Sequence, residues 1–500
     1  MPGRACLAID LGTTSCKAVV LSESLAPLGW GEARLTTNCP SPRACEQDPE
    51  EWWGAIVRAS GEALSKSGGS PIEVVSLSSQ REGAVLLDEE GKPVRPAIVW
   101  MDRRASAEAK EMVSDFGEEW LSRVVGLVPS PGFTAPILRW LKREEPEALS
   151  KARHVTQPKG YLILRLTGRR AIDLDLGPRF GLFDLQNRSY REELLEWAGV
   201  CESLLPELVE PTEVVGGLAE EAARSLGLKA GTPVVAGMGD RQCEVLGLGL
   251  LPGREVMVAT GTATNVSTLT EAIPLSLHPR VAKSPHLRGL FQLEAGIWAS
   301  GAVLMWLFEQ FGPGARGRGR GEVARWLSEE FERGEHAGSL VVLPFFAGAS
   351  APHWEPEMSA AILGLGLGHT RADLVRAVVE SLAVEIAENV SLYKGLMPGI
   401  ERVVHCGGGA MIEPFNKSIC DACGLEVEIP RHLDSAALGA ACLGLSLMLE
   451  RDPFDLAREA NPRWRRLKPS PEGVERLKAR REAQRRAHKA LRNLLRGLGR

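Results

Sequence analysis

Near the start of the chain an acid, a glycine, three hydroxyls and a lysine fall close together: Asp10, Gly12, Thr13, Thr14, Ser15 and Lys17. Apolar runs flank them, Leu7-Ala8-Ile9 before and Ala18-Val19-Val20 after, and this pattern predicts a strand, a turn and a second strand. A glycine at the bend lets backbone N–H groups approach an anion closely. Threonine and serine hydroxyls and a lysine ammonium then add donors suited to phosphate oxygens. Asp10 would repel a phosphate unless a magnesium ion lay between them. The stretch therefore reads as a hairpin that holds nucleotide phosphates and a metal; taken alone, it also fits an ordinary hairpin with a polar turn.

Further along, Val234-Val235-Ala236-Gly237-Met238-Gly239 predicts a strand that enters a glycine turn and delivers Asp240 and Arg241 at the head of a helix. Asp240 there is either a helix cap or a carboxylate presented to a ligand. The predicted strand Ile72–Leu77 runs out into Ser78-Ser79-Gln80-Arg81-Glu82-Gly83, and a second ends on Trp100-Met101-Asp102-Arg103-Arg104. Charge just past the carboxyl end of a strand is where open α/β sheets place ligand contacts. Arg81 and Glu82 are thus candidate substrate residues, against the reading of a solvated ion pair, and Trp100 is either a substrate platform or core. Val256–Ala259 feeds a Thr260-Gly261-Thr262 turn much like the first one, and Val403–Cys406 runs into Gly407-Gly408-Gly409, where a flat base or ribose could lie against bare backbone.

These residues need strands to carry them and helices to hold the strands. Asp48 with Pro49 predicts a helix start, with Ile56, Ala59 and Ala63 on its apolar face. Residues 84–93 predict a hairpin, and Lys159–Gly168 an amphipathic helix stopped by glycine. Two phosphate-type hairpins about 250 positions apart suggest a duplicated fold closing on a nucleotide. The expected division is a first lobe over 1–250, a second over 251–455, and a basic helical extension from 456 to 500. The small-residue run Asp434–Ala441 reads as a helix start suited to close packing between the lobes.

A chain of 500 residues with 44% hydrophobic content can bury more than one core. A net charge of -5 argues against a general nucleic-acid partner. No apolar run is long enough for a membrane span, no charged-then-apolar leader is evident, and ten cysteines lack a disulfide framework. The expectation is a cytoplasmic enzyme. Cys420 and Cys423 have metal-like spacing but no second pair nearby, so they read as packing residues. The run Ala315–Gly321 reads as a surface loop. The basic tail around Arg480–Lys489 could dock on nucleic acid, an anionic membrane or a neighbouring subunit, but Leu477, Leu491, Leu494 and Leu495 favour a helix laid on the body.

With both hairpins, Asp240 and the glycine triplet in order, residues 5–455 resemble the FGGY carbohydrate kinases of the actin/hexokinase-like superfamily. The resemblance implies two ribonuclease H-like α/β lobes, each a mixed five-stranded sheet flanked by helices, with the active site in the cleft between them. It implies ATP and Mg²⁺ as cofactors and a small polyol or sugar as substrate, with a homodimer as the candidate assembly. By position, Thr13, Thr14, Lys17, Gly261, Thr262, Gly301, Gly408, Gly409 and Ala410 match the nucleotide-binding residues. Asp10 and Asp240 match the metal-associated acids. Asp240 also matches the catalytic base, which takes the proton from the attacking hydroxyl.

Arg81, Glu82, Trp100, Asp240 and Arg241 are the implied substrate residues. The Arg81-Glu82 pair with Trp100 is similar to the glycerol kinase branch, whereas xylulose kinases carry Met-His in place of Arg81-Glu82; the Arg-Glu-Gly triplet is also similar to quorum-signal kinases. Two departures bear on the substrate. Gly132 stands where glycerol kinases place a tyrosine, and Arg241 where they place glutamine. More room and more donors favour a pentulose, a longer polyol or an acid sugar over glycerol. A non-catalytic sensor on the same scaffold would be expected to lose Asp10 or Asp240, and a chaperone-type ATPase would need a further domain after residue 455.

Overall fold

The computed structural model describes residues 3–274, 276–313 and 319–498. The chain divides into two compact units. The first takes Met1–Gly249, Ala282–Gln292 and Asp434–Asn461; the second takes Leu250–Val281, Leu293–Leu433 and Pro462–Arg500.

In the first unit six strands run in the order Val214–Gly217, Pro233–Gly239, Ile72–Ser79, Ala5–Leu11, Ser15–Ser22 and Pro27–Arg34. Ala5–Leu11 pairs antiparallel with Ser15–Ser22 and parallel with Ile72–Ser79, which in turn is parallel to Pro233–Gly239. Every residue of Ala5–Leu11 is buried, as a strand covered on both faces requires. The helix Pro49–Lys66 lies on one side, capped by the Asp48 side chain and burying Trp52, Ala55, Ile56, Ala59 and Ala63. The helix Ala436–Leu449 also packs on Ala5–Leu11 and Ile72–Ser79.

The second unit carries the sheet of order Ala282–Pro285, Phe291–Ile297, Thr264–Thr270, Glu255–Thr260, Arg402–Cys406, Glu426–Pro430 and Arg463–Leu467. Its main core gathers around the long helix Arg371–Leu396, with Val375, Val378, Leu382 and Ile386 fully buried. Both sheets share one four-strand order, an antiparallel hairpin followed by two parallel strands on one side. The expected five strands become six in the first sheet and seven in the second, because edge strands extend each core.

Several expectations need correction. Asp434–Asn461, divided at 455 between the second lobe and the C-terminal extension, falls in the first unit, and so does Ala282–Gln292. The small-residue helix is thus part of the first unit. It lies on Asp240–Gly247 within its own unit, where a Cβ at Gly439 would sit 1.9 Å from the Cys243 carbonyl oxygen and one at Gly247 2.0 Å from that of Ser435. Residues 84–93 do fold back on themselves, with an antiparallel bridge between Leu87 and Pro93 and the Asp88 amide donating to Lys92 O, but the returning arm is not a strand, and Val85–Leu87 also pairs with His154–Thr156. The basic segment is not helical from Trp464, since Arg463–Leu467 is a strand and the helix is Pro471–Leu498. In the run Ala315–Gly321, residues 315–318 lie outside the described residues.

The C-terminal helix lies on its own unit, and its cations are engaged there. Buried Arg480 donates to Glu380 and to the carbonyls of Leu340 and Ala337. Arg481 and Arg485 both reach Glu388 at 2.7 Å. Burial would raise that carboxyl, but the two guanidinium groups hold it at about 2. Leu477 and Leu495 are buried, whereas Leu494 is exposed. Cys420 is a buried core residue.

Candidate active site

The turn at Gly12–Thr14 joins the two antiparallel strands, with the Gly12 amide donating to Ser15 O at 3.0 Å. Its hydroxyls are used unequally. Ser15 is buried and donates to Glu32 at 2.7 Å. Thr14 is exposed. Thr13 Oγ1 donates to Gln80 Oε1 at 3.1 Å and accepts from Trp100 Nε1 at 2.8 Å, so it fixes two neighbouring side chains. Gln80 Nε2 donates onward to Gln47 Oε1, which also accepts from Trp52 Nε1, while Gln47 Nε2 donates to Thr13 O. Trp100 is 41% exposed, which rules out its being a core residue; this bonded chain holds its indole at the surface.

Asp10 stands opposite Lys17 in the hairpin, and Lys17 forms an ion pair with Asp434. Ser78 donates to Asp10 Oδ1 at 2.6 Å. Burial raises the Asp10 carboxyl to about 6; Asp434 and Asp240 add to this, and the Ser78 hydrogen bond and Lys17 oppose it. Its folded pKa lies above the unfolded carboxylate value, so the fold holds an extra proton between about pH 4 and 6 and loses that favourable contribution as pH rises through 6. Asp10→Asn keeps an acceptor for Ser78 without the charge. It is expected to raise stability at pH 8 by on the order of 2 kcal/mol and to leave it unchanged at pH 4. Urea unfolding at the two pH values checks this, and an equal gain at both would contradict it.

Asp240 opens the helix Asp240–Gly247 directly after the strand Pro233–Gly239. Its Oδ1 takes the Arg241 amide at 2.8 Å and lies 3.2 Å from Arg81 Nε. Glu82, at φ +62°, pairs with buried Arg179 at 3.0 Å. Arg81 and Glu82 thus do not pair with each other. Each is matched to a distant partner, and Arg179, which the sequence reading did not name, stands against Glu82. Arg241 turns to Glu244 at 2.8 Å, one turn along its own helix.

A Cβ at Gly132 would lie 2.2 Å from the Trp100 carbonyl oxygen, so the backbone as it stands here admits only glycine.

Beneath these strand ends lies Lys159, fully buried. Its Nζ donates to Met238 O at 2.6 Å, Ala236 O at 3.3 Å and Leu77 O at 3.4 Å, and pairs with Asp173 at 3.4 Å. Asp175 accepts from the Gly239 amide at 3.3 Å. Burial pushes Asp175 well above the usual carboxylate range, Asp173 adds to this, and Lys159 opposes it. Gly237, at φ +72°, lets the two strands approach here, since a Cβ would meet Leu77 O at 1.6 Å. The positions of Ser78 and Asp240 thus rest on an internal cation.

The second unit holds a cavity of about 470 Å³ lined by Gly261, Thr262, Gly301, Gly408 and Gly409, together with Met305, Glu309 and Arg320. The amides of Ser300 and Ala302 donate to Thr262 O at 3.1 and 3.0 Å, tying the turn to the start of the helix Gly301–Phe311. Below it, Ser300, Thr264, Thr260, His405 and Asn416 form a buried hydrogen-bonded row that ends on Ala410 O. Burial lowers His405 to about 4, against the Asn416 bond, so the ring is neutral. The cavity brings together the glycines named from sequence, while Ala410 is buried beside it. Met305 and Glu309 were not foreseen, and Arg320, read as part of a surface loop, instead opens the helix Arg320–Arg333 and lines the cavity.

Duplicated sheets, a phosphate-type turn with a buried acid, a second acid at a helix head and a glycine-lined cavity define a phosphotransferase. The chain matches the N-terminal domain of the FGGY family of carbohydrate kinases over residues 5–247 and its C-terminal domain over residues 256–448. It is 30% identical to a xylulose kinase of Escherichia coli K12 over 442 residues, covering 87% of this chain and 89% of that one. It is 33% identical to a glycerol kinase of Thermus brockianus over 450 residues, covering 87% and 88%. A solved structure titled as a "xyloylose kinase" from Brucella ovis superposes with a TM-score of 0.89 at 29% identity, covering 98% of this chain and 99% of that one. The chain belongs to the FGGY family of carbohydrate kinases. It is an ATP-dependent phosphotransferase acting on a hydroxyl of a sugar or polyol.

Proposed function

We propose that the substrate is a small polyol or ketose with neighbouring hydroxyls, of the size of glycerol or a pentulose, and that Asp240 is its general base. The observation that carries this reading is the pair of adjacent guanidinium–carboxylate couples, Arg81 with Asp240 and Glu82 with Arg179. Each couple offers donors and acceptors at fixed geometry, which adjacent hydroxyls can bridge. Trp100 supplies an apolar face for the carbon chain. Asp240 takes the hydroxyl proton as the oxygen attacks the terminal phosphorus, and Arg81 and the Arg241 amide hold the carboxylate in place. Gly261, Thr262, Gly301, Gly408 and Gly409 hold the nucleotide, with Thr13, Thr14 and Lys17 facing its phosphates.

Among the described residues no three His, Cys, Asp or Glu side chains form a metal cage. That suits magnesium, which takes most of its ligands from phosphate and water. Asp10 fits as its protein ligand, being a buried acid in the field of Asp240 and Asp434. Bound there, the ion would balance phosphate charge.

ADP release against glycerol, erythritol, xylulose, ribulose and gluconate tests the reading, with strong turnover expected on glycerol or a pentulose. Activity confined to gluconate would overturn it. Glu82→Ala is expected to raise KM for that substrate more than about tenfold, as loss of a hydrogen bond to a charged group does, and to leave KM for ATP unchanged. An unaltered substrate KM would remove Glu82 from the site.

A further inference from the structure

We propose that Cys39 and Cys45 are a redox modification site, a dithiol that closes to an intrachain disulfide across a surface hairpin. The strands Asn38–Ser41 and Ala44–Gln47 are antiparallel, pairing Asn38 with Glu46 and Ser41 with Ala44 around an irregularity, and the side chains of Cys39 and Cys45 meet across them. The two sulfurs face each other 2.6 Å apart, and both cysteines are free thiols. The close approach of sulfurs that a disulfide requires is thus already present. Cys39 is exposed and Cys45 half-buried. Cys201, the other exposed cysteine, faces a serine hydroxyl instead.

The order of events follows from exposure. The Cys39 thiolate attacks one sulfur of a small-molecule disulfide such as oxidised glutathione and releases the first thiol. Cys45 then attacks the Cys39 sulfur and releases the second. The two cysteines lose two protons and two electrons, and the small disulfide is reduced to two thiols. Burial, then the contact with Cys39, pushes the Cys45 thiol up to about 11, so exposed Cys39 is the one that initiates the exchange.

The hairpin is joined to the site. Cys45 O accepts from the Val99 amide at 3.2 Å, the Cys45 amide donates to Asp102 at 2.7 Å, and Arg43 O accepts from the Arg103 amide at 2.8 Å. These bonds bracket Trp100, and Gln47 at the hairpin's end holds Thr13. Closing the disulfide removes the hairpin's freedom to fray, so the amides of Val99 and Arg103 should exchange more slowly in the oxidised protein.

The test treats the full-length protein with oxidised glutathione, followed by unreduced proteolytic mapping. The expected result is a peptide pair linked through Cys39 and Cys45, reversed by a dithiol reductant, with slower exchange at Val99 and Arg103. In Cys45→Ser the reaction should stop at glutathione held on Cys39, and Cys39→Ser should hold none on Cys45. A wild-type chain that keeps glutathione on Cys39, links either cysteine elsewhere, or stays fully reduced overturns the proposal. A correct linkage with unchanged exchange at Val99 and Arg103 overturns its connection to the site.

Discussion

Asp240→Asn is expected to lower kcat by about a hundred- to ten-thousand-fold, the range that a positioned proton acceptor contributes, and to leave the affinity for ATP nearly unchanged. The substitution is close to isosteric. The amide oxygen can still accept from the Arg241 N–H and lie beside Arg81 Nε, so the helix head and the neighbouring couple Glu82–Arg179 keep their geometry. What is lost is the ability to receive a proton. The proposed nucleotide contacts are Gly261, Thr262, Gly301, Gly408 and Gly409, which line a cavity in the other unit, and none of them changes. Steady-state ADP release with a saturating acceptor gives kcat, and calorimetric titration with ATP gives the affinity. An Asp240→Asn protein with ordinary turnover would remove Asp240 from the base role, whereas a loss of ATP binding in step with kcat would mean that the carboxylate supports the nucleotide instead.

The residues legible in the sequence share one property: their surroundings are written beside them. Asp10 follows an apolar strand and precedes a glycine turn, Asp240 follows Gly239 at a strand end, and Gly261 and Gly408 sit in turns announced by β-branched runs. Local turn chemistry fixes all four. Their partners were not legible, because they come from far along the chain. Glu82 meets Arg179 from 97 positions away, and Lys17 meets Asp434 from 417. A single charged residue in a loop carries no mark of which opposite charge it will find. The close approach of the Trp100 backbone to Gly132 was likewise not legible, since it joins two loops more than thirty positions apart. The edge strands were missed because short strands at a sheet's rim are set by tertiary pairing and carry little pattern of their own. Lys159 did leave a trace. It stands at the first turn of a helix whose other residues include Tyr161, Leu162, Ile163 and Leu166, all buried. Read as the polar edge of an amphipathic helix, it is instead the most enclosed cation described in the first unit.

That enclosure makes Lys159→Met the substitution with the largest expected effect on folding, a loss of about 3–5 kcal/mol as for breaking a buried ion pair from one side. Methionine fills similar volume, so the cost is electrostatic rather than a cavity. The carbonyls of Met238, Ala236 and Leu77 lose their donor, and Asp173 loses its cation in a site without solvent. The pH dependence identifies the cause. Asp175 already sits well above the usual carboxylate range through burial and the nearby Asp173, and Lys159 is what opposes the rise. Without it the folded pKa climbs further above the unfolded one. A carboxyl raised in the folded state contributes stability at low pH that is lost as pH rises through its folded value. The deficit of the variant should therefore be smaller at acid pH, where the carboxyl is more fully protonated, and grow towards pH 8. Urea midpoints at pH 5 and pH 8 measure it, and a deficit independent of pH would mean that Lys159 serves as a carbonyl donor alone. A second substitution, Asp173→Leu, removes the uncompensated charge, and in the Lys159→Met background it should recover part of the stability at pH 8. Turnover should not recover with it, because the strand ends that carry Ser78 and Asp240 would still lack the ammonium group that ties Leu77, Ala236 and Met238 together.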